Sequence, residues 1–131
     1  MTRTEWGKQF DRCFLCGAKA CSVWPPILET HEIARGVDRD LAIKEPACWI
    51  RCCQPCHTQR LDSMPIATQL ALKKHCDPEN YDRVAVNRIR TRHYHNGPVD
   101  DAITEGEVIM ALYEMEGAIE SLGYPFQRIK P

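Results

Sequence analysis

A chain of 131 residues with a net charge of -1 suits one domain with a modest core. That near-neutrality excludes a uniformly basic nucleic-acid binder, and no apolar run is long enough to cross a membrane. The segment MTRTEWGKQFDRC has no hydrophobic stretch behind its basic residues, which predicts no secretory signal and a cytoplasmic protein.

Residues 1–26 read as mostly irregular. Within them CFLCG sets Cys13 and Cys16 at C-x2-C spacing, and Gly17 follows to relieve a tight metal knuckle. Ile27 to Ile33 alternates, with Ile27, Glu29, His31 and Ile33 on one face and Leu28, Thr30 and Glu32 on the other, which predicts a short strand. ARGVDRD reads as a polar loop. Ala47 to Cys52 is a second strand candidate, with Pro46 at its start.

CQPCHTQRLD turns into a helix near Pro55, since proline suits the first helical turn. PIATQLALKKHC is a second helix, where Ile66, Leu70 and Lys73–Lys74 trace an amphipathic pattern. DPENYDRVAVNRIRTRHY is a third, with Asp77 as N-cap and Pro78 at the first helical position. TEGEVIMALYEMEGAIESLG is a fourth, with Thr104 and Glu107 as a capping box and Gly123 as its stop.

The cysteines are Cys13, Cys16, Cys21, Cys48, Cys52, Cys53, Cys56 and Cys76. An even number allows disulfides, but a reducing compartment and two C-x2-C pairs favour metal. Cys13/Cys16 and Cys53/Cys56 make a closed four-thiolate zinc site, structural because no position stays open for water. RCCQPC also leaves Cys52 as a competitor for Cys53. Joining the two pairs closes the chain between them into a loop. His31 is then drawn toward the helix that starts at His57, and two imidazoles facing one space suit a divalent cation. Glu29, on the face of His31, is a reserve ligand. Two other zinc signatures do not close: H-E-x-x-H meets Arg35 where its second histidine belongs, and H-x-E with P-C-x-x-C fails at both halves.

The order Cys-x2-Cys, strand ending in His-acid-Ile, Cys-x2-Cys-His resembles the HNH endonuclease family. It looks most like the small cysteine-bearing HNH proteins of phages and mobile elements. The resemblance covers about residues 13–62. It implies an α+β fold: a zinc-braced ββα-metal (His-Me finger) core, with an added C-terminal helical region. Residues 1–62 would be the knuckle and HNH-like module, and 63–131 a helical extension packed on it. The implied activity is hydrolysis of DNA phosphodiesters, as an endonuclease or nickase in the cytoplasm of a bacterial or phage-infected cell. His31 takes a metal-ligand position, His57 the ligand position at the helix start, and Glu32 stands where the family usually has its general-base histidine. Cys48 falls near the middle asparagine, and Leu61 replaces a second helical ligand. The implied cofactors are structural Zn²⁺ on Cys13, Cys16, Cys53 and Cys56, and a catalytic Mg²⁺, Mn²⁺, Ni²⁺ or Zn²⁺. The alternative is a degenerate HNH-fold zinc protein that binds DNA or a protein partner without cutting.

Charge is unevenly spread. Residues 1–96 hold 15 Lys/Arg against 11 Asp/Glu, and residues 97–131 hold 2 against 7, so the basic part is the one to meet DNA. Arg35 and Arg39 follow the histidine closely. Arg88 and Arg92 share a helix face and suit phosphate contacts, unless Asp77, Glu79 and Asp82 pair with the arginines of that helix. The stripe Val108, Leu112, Met115, Ile119 on the last helix belongs to the core or to a contact with a second copy or a phage protein.

Overall fold

The computed structural model describes residues 1–17, 27–34, 36–90 and 99. The chain starts with a helix where irregular structure was expected: α1, Arg3–Lys8. Its cause was legible, because the Thr2 side chain accepts from the Glu5 amide at 3.1 Å and satisfies one of the orphan donors of the first turn. The helix exists to deliver Trp6, which is fully buried. Trp6 lies with ring centroids 4.9 Å from Phe10, 6.0 Å from Phe14 and 5.6 Å from Trp49. This aromatic cluster is the centre of the core. The knuckle follows, closed by the Gly17 amide on the Cys13 carbonyl at 2.9 Å. Gly17 has φ 74°, a left-handed conformation in which a side chain would be strained.

Strands β1, Leu28–Glu32, and β2, Trp49–Cys53, pair antiparallel, with Leu28 opposite Cys53, Thr30 opposite Arg51, and Glu32 opposite Trp49. The second strand begins two residues later than expected. Pro46–Cys48 form a 3-10 turn instead, held by the Glu45 side chain on the Ala47 amide. The expected loop ARGVDRD also coils: a 3-10 turn, Gly36–Asp38, leads into a short helix α2, Arg39–Ala42, whose last carbonyl accepts the Trp49 indole N–H at 2.9 Å.

Helix α3, Gln54–Gln59, starts directly from the end of β2, with Cys53 as an extended N-cap and Pro55 in the first turn. A 3-10 turn, Leu61–Ser63, precedes α4, Ile66–Cys76. The third expected helix is broken. Asp77 does not cap it, because its carboxylate already receives the Trp6 indole, the Lys73 ammonium and the Asn80 amide. Pro78–Asn80 make a 3-10 turn, and α5, Arg83–Arg90, begins anew where Asp82 Oδ1 accepts from the Ala85 amide at 3.0 Å. The rest of that predicted helix and the fourth one lie outside the described residues. The architecture is α+β. No described helix is long and apolar enough to cross a membrane.

Register decides what each sheet face sees, because side chains alternate and opposed residues share a face. Leu28, Thr30, Glu32, Cys53, Arg51 and Trp49 form one face. It meets the knuckle and α1, through Cys16, Trp6 and Arg3. Glu29 and His31 form the other with Cys52 and Ile50, and meet His57 of α3 and Gln69 of α4.

Two thiols outside any cluster stay protonated. Burial, then the Glu45 carboxylate, pushes Cys48 up to about 12, and burial, then Cys13, does the same for Cys76. An unfolded thiol ionises near 9.0, so above that pH the unfolded chain loses protons that the folded one keeps. Stability is therefore full below pH ~9 and falls as pH rises toward about 12. Thermal melts across that range check this: the wild-type midpoint drops, and it drops less steeply in Cys48→Ala/Cys76→Ala.

Candidate metal centres

The four cysteines of the two C-x2-C pairs come together. Cys13, Cys16, Cys53 and Cys56 are buried, and their sulfurs all lie within 4.8 Å of one another. Two come from the knuckle, one ends β2, and one sits in the first turn of α3. The strand-to-helix switch at Cys53 is what aims its sulfur and that of Cys56 at one point. The Leu15 amide points at Cys13 Sγ at 3.4 Å, a donor suited to a thiolate.

The thiols already share charge. Burial opposes an anion at Cys13, but hydrogen bonds from Cys16, Cys53 and Cys56 overcome it and hold Cys13 well below an ordinary thiol. The donors shift the other way: hydrogen bonding to Cys13, then Cys53, holds the proton on Cys16, and bonding to Cys13, Cys16 and Cys53 holds it on Cys56. Four buried sulfurs at this spacing fit a structural metal such as zinc, whose uptake would release the remaining protons. Cys52 is no competitor in this geometry. It lies on the opposite sheet face, its Sγ donates toward the Glu29 carbonyl at 3.7 Å, and burial raises its pKa. Cys76 donates toward the Phe14 carbonyl at 3.7 Å, and Cys21 lies outside the described residues.

A second cluster forms on the other face. His31 on β1, His57 on α3 and Asp62 in the turn after it present ligand atoms within 4.8 Å of one another. The two rings meet edge to face, centroids 5.1 Å apart. Each ring is oriented from behind. Glu29 Oε2 lies 2.6 Å from His57 Nδ1. A carboxylate there accepts, so Nδ1 carries a proton and Nε2, 3.8 Å from Asp62 Oδ1, is the nitrogen left to face a cation. Gln69 plays the same part for His31. Its amide nitrogen donates to the Met64 carbonyl at 2.9 Å and the Leu61 carbonyl at 3.4 Å, which fixes which end is oxygen. That oxygen accepts from His31 Nε2 at 2.7 Å and leaves the ring's lone pair on Nδ1. Two imidazoles held in defined tautomers beside a carboxylate are a donor set for a divalent cation.

Glu32 is not brought to this cluster. Its alternation sends it to the opposite face, where it is buried with Oε1 3.2 Å from Arg3 and 3.9 Å from Arg39. Glu29 is present, but as the partner of His57. Arg39 and Arg88 are exposed, while Arg35 and Arg92 lie outside the described residues. Asp77 pairs with Lys73 and not with an arginine of α5.

Asp62 and Gln69 were not anticipated. A regular helix from His57 would set Leu61 above it, but the chain leaves helical geometry at Arg60, φ -123° and ψ -59°, and the tighter turn swings Asp62 round. The aspartate in CHTQRLD was the only available signal.

Compared with protein-family models, with curated proteins and with solved structures, the chain matches none.

Proposed function

We propose that this chain is a divalent-cation-dependent DNA endonuclease of HNH type, with β1, β2 and α3 as its ββα-metal core. The observation that carries the reading is the cluster of His31, His57 and Asp62 between strand and helix, with Glu29 and Gln69 fixing both imidazoles. A divalent cation bound there supplies Lewis acidity toward a phosphodiester oxygen. His31, His57 and Asp62 hold it. Glu29 and Gln69 keep the rings in the tautomers that can donate. A zinc on the four cysteines would brace α3, which carries His57, and β2, whose partner strand β1 carries His31. Exposed Arg39 and Arg88 contribute phosphate contacts that carry affinity without sequence information.

One observation favours a second reading, a zinc protein of the same fold that binds DNA without cutting. Glu32, at the base position of the resemblance, is engaged by two arginines and faces away from the imidazoles.

Nicking of supercoiled plasmid by zinc-loaded protein with Mg²⁺, Mn²⁺, Ni²⁺ or Zn²⁺ separates the two. Wild type is expected to cut. His57→Ala and Asp62→Asn are expected to abolish cutting, and Glu29→Gln to slow it by roughly 10–100-fold, the usual cost of losing a residue that orients a metal ligand. Glu32→Gln is expected to keep most activity. A folded, zinc-loaded wild type that cuts with none of these cations moves the conclusion to the second reading.

A further inference from the structure

The sheet face opposite the imidazoles carries a cleft of about 250 Å³ lined by Arg3, Thr4, Lys8, Thr30 and Arg51. Its two guanidiniums are built on one residue. Arg3 Nη2 donates to the Thr30 carbonyl at 2.9 Å, and Arg51 Nη1 donates to the Thr30 hydroxyl at 3.1 Å. Arg51 Nε is held by the Phe10 carbonyl at 3.3 Å. Gly7 makes the close packing feasible, because a Cβ there would lie 3.0 Å from Arg51 Nη1 and 3.2 Å from its Cζ.

Negative charge does not balance this arrangement. Glu32 is the carboxylate beside it, paired with Arg3 and shared with Arg39. Among the described residues no carboxylate lies within ion-pair distance of Arg51 or Lys8. Arg51 is half-buried and shares Thr30 with the like-charged Arg3, so holding the two cations together costs free energy that a bound anion would return. Two guanidiniums, an ammonium and two hydroxyls present a concentration of donors, which suits phosphate oxygens.

We propose that this cleft binds a backbone phosphate of nucleic acid, as a second phosphate site on the far side of the sheet from the imidazole cluster. The choice of nucleic acid over a small phosphate rests on the nuclease reading above; the anion chemistry does not.

The test is binding of a short labelled DNA duplex of random sequence over a KCl series, without added divalent cation, using zinc-loaded full-length protein. Lys8→Glu alters an exposed side chain at the end of α1, and circular dichroism is expected to show the wild-type fold. Arg51→Gln removes the inner charge, and Arg51→Lys retains it. Lys8→Glu and Arg51→Gln are expected to weaken binding and to reduce the slope of log K against log salt by about 0.9 for each phosphate no longer neutralised. Arg51→Lys should keep the slope, and His57→Ala should keep it while failing to cut plasmid. An unchanged slope in both Lys8→Glu and Arg51→Gln overturns the proposal even if wild type cuts DNA. A reduced slope in a protein that never cuts upholds it and overturns the nuclease reading instead. Inorganic phosphate that binds the cleft without competing with DNA also overturns it.

Discussion

Cys53→Ser is expected to abolish tight metal uptake and cooperative folding together. Cys53 is the last residue of β2, the N-cap of α3, and one of the four sulfurs within 4.8 Å of one another. Structural zinc contributes on the order of 10–16 kcal/mol to folding in small metal-dependent domains. A typical domain has only about 5–15 kcal/mol of net stability, so a chain deprived of the metal has little left. The aromatic cluster around Trp6 remains, but the knuckle and α3 lose what fixes them to the sheet. Metal content by mass spectrometry and thermal melts by circular dichroism check this. Cys52→Ala, one residue away and on the other sheet face, is expected to keep both metal and transition. A Cys53→Ser protein that melts with the wild-type midpoint would show that the four sulfurs do not form a stabilising metal site.

The second large effect is expected from Asp77→Ala, a loss of about 3–5 kcal/mol, the usual result of leaving a buried charge without its partner. Lys73 is fully buried, with Nζ 2.7 Å from Asp77 Oδ2 and 2.8 Å from the Trp49 carbonyl, and 4.6 Å above the Trp6 ring. Burial lowers its pKa, and the hydrogen bond to Asp77 pulls it back up. The same carboxylate receives the Trp6 indole at 2.8 Å and Asn80 at 3.0 Å. Its removal leaves several donors in the core without an acceptor. Lys73→Met strands the buried Asp77 carboxylate in turn and is expected to be destabilising as well, while the double substitution Lys73→Met/Asp77→Asn, which leaves no buried charge, is expected to cost less than either charge-stranding change. Urea midpoints at constant m-value measure all three, and an Asp77→Ala loss below about 1 kcal/mol would refute the account.

This pair also shows where reading along the chain stops. Lys73–Lys74 looked like one polar stripe of an amphipathic helix, yet Lys74 is exposed and Lys73 lies in the core. Helical spacing sets Lys73, and not Lys74, in line with Ile66, but nothing local predicts the burial of its ammonium. That burial arises because Trp6, some seventy positions earlier, sits over the end of α4 and brings an aromatic face to one lysine only. Asp77 likewise has the composition of an N-cap, but tertiary partners take its oxygens first, and helix initiation passes to Asp82. The short helix at Arg3–Lys8 carries a Thr2–Glu5 capping signal, but six residues offer too little periodicity to set it apart from irregular structure.

What the sequence by itself determined was chemistry at short range. C-x2-C spacing sets two sulfurs on one turn whatever the fold, so the four thiols were legible from spacing alone. Strand alternation was legible as well: it put His31 and Glu29 on one face and Glu32 on the other, and the register keeps them there. What only the tertiary structure decided was which distant groups converge. Asp62 reaches the imidazoles through a turn that departs from helical geometry, Gln69 arrives from the packing of α4, and Arg3 meets Arg51 across a strand. Side-chain type and spacing constrain neighbours within a turn or a strand pair. Convergence of groups far apart along the chain is set by how the core packs, which no single segment encodes.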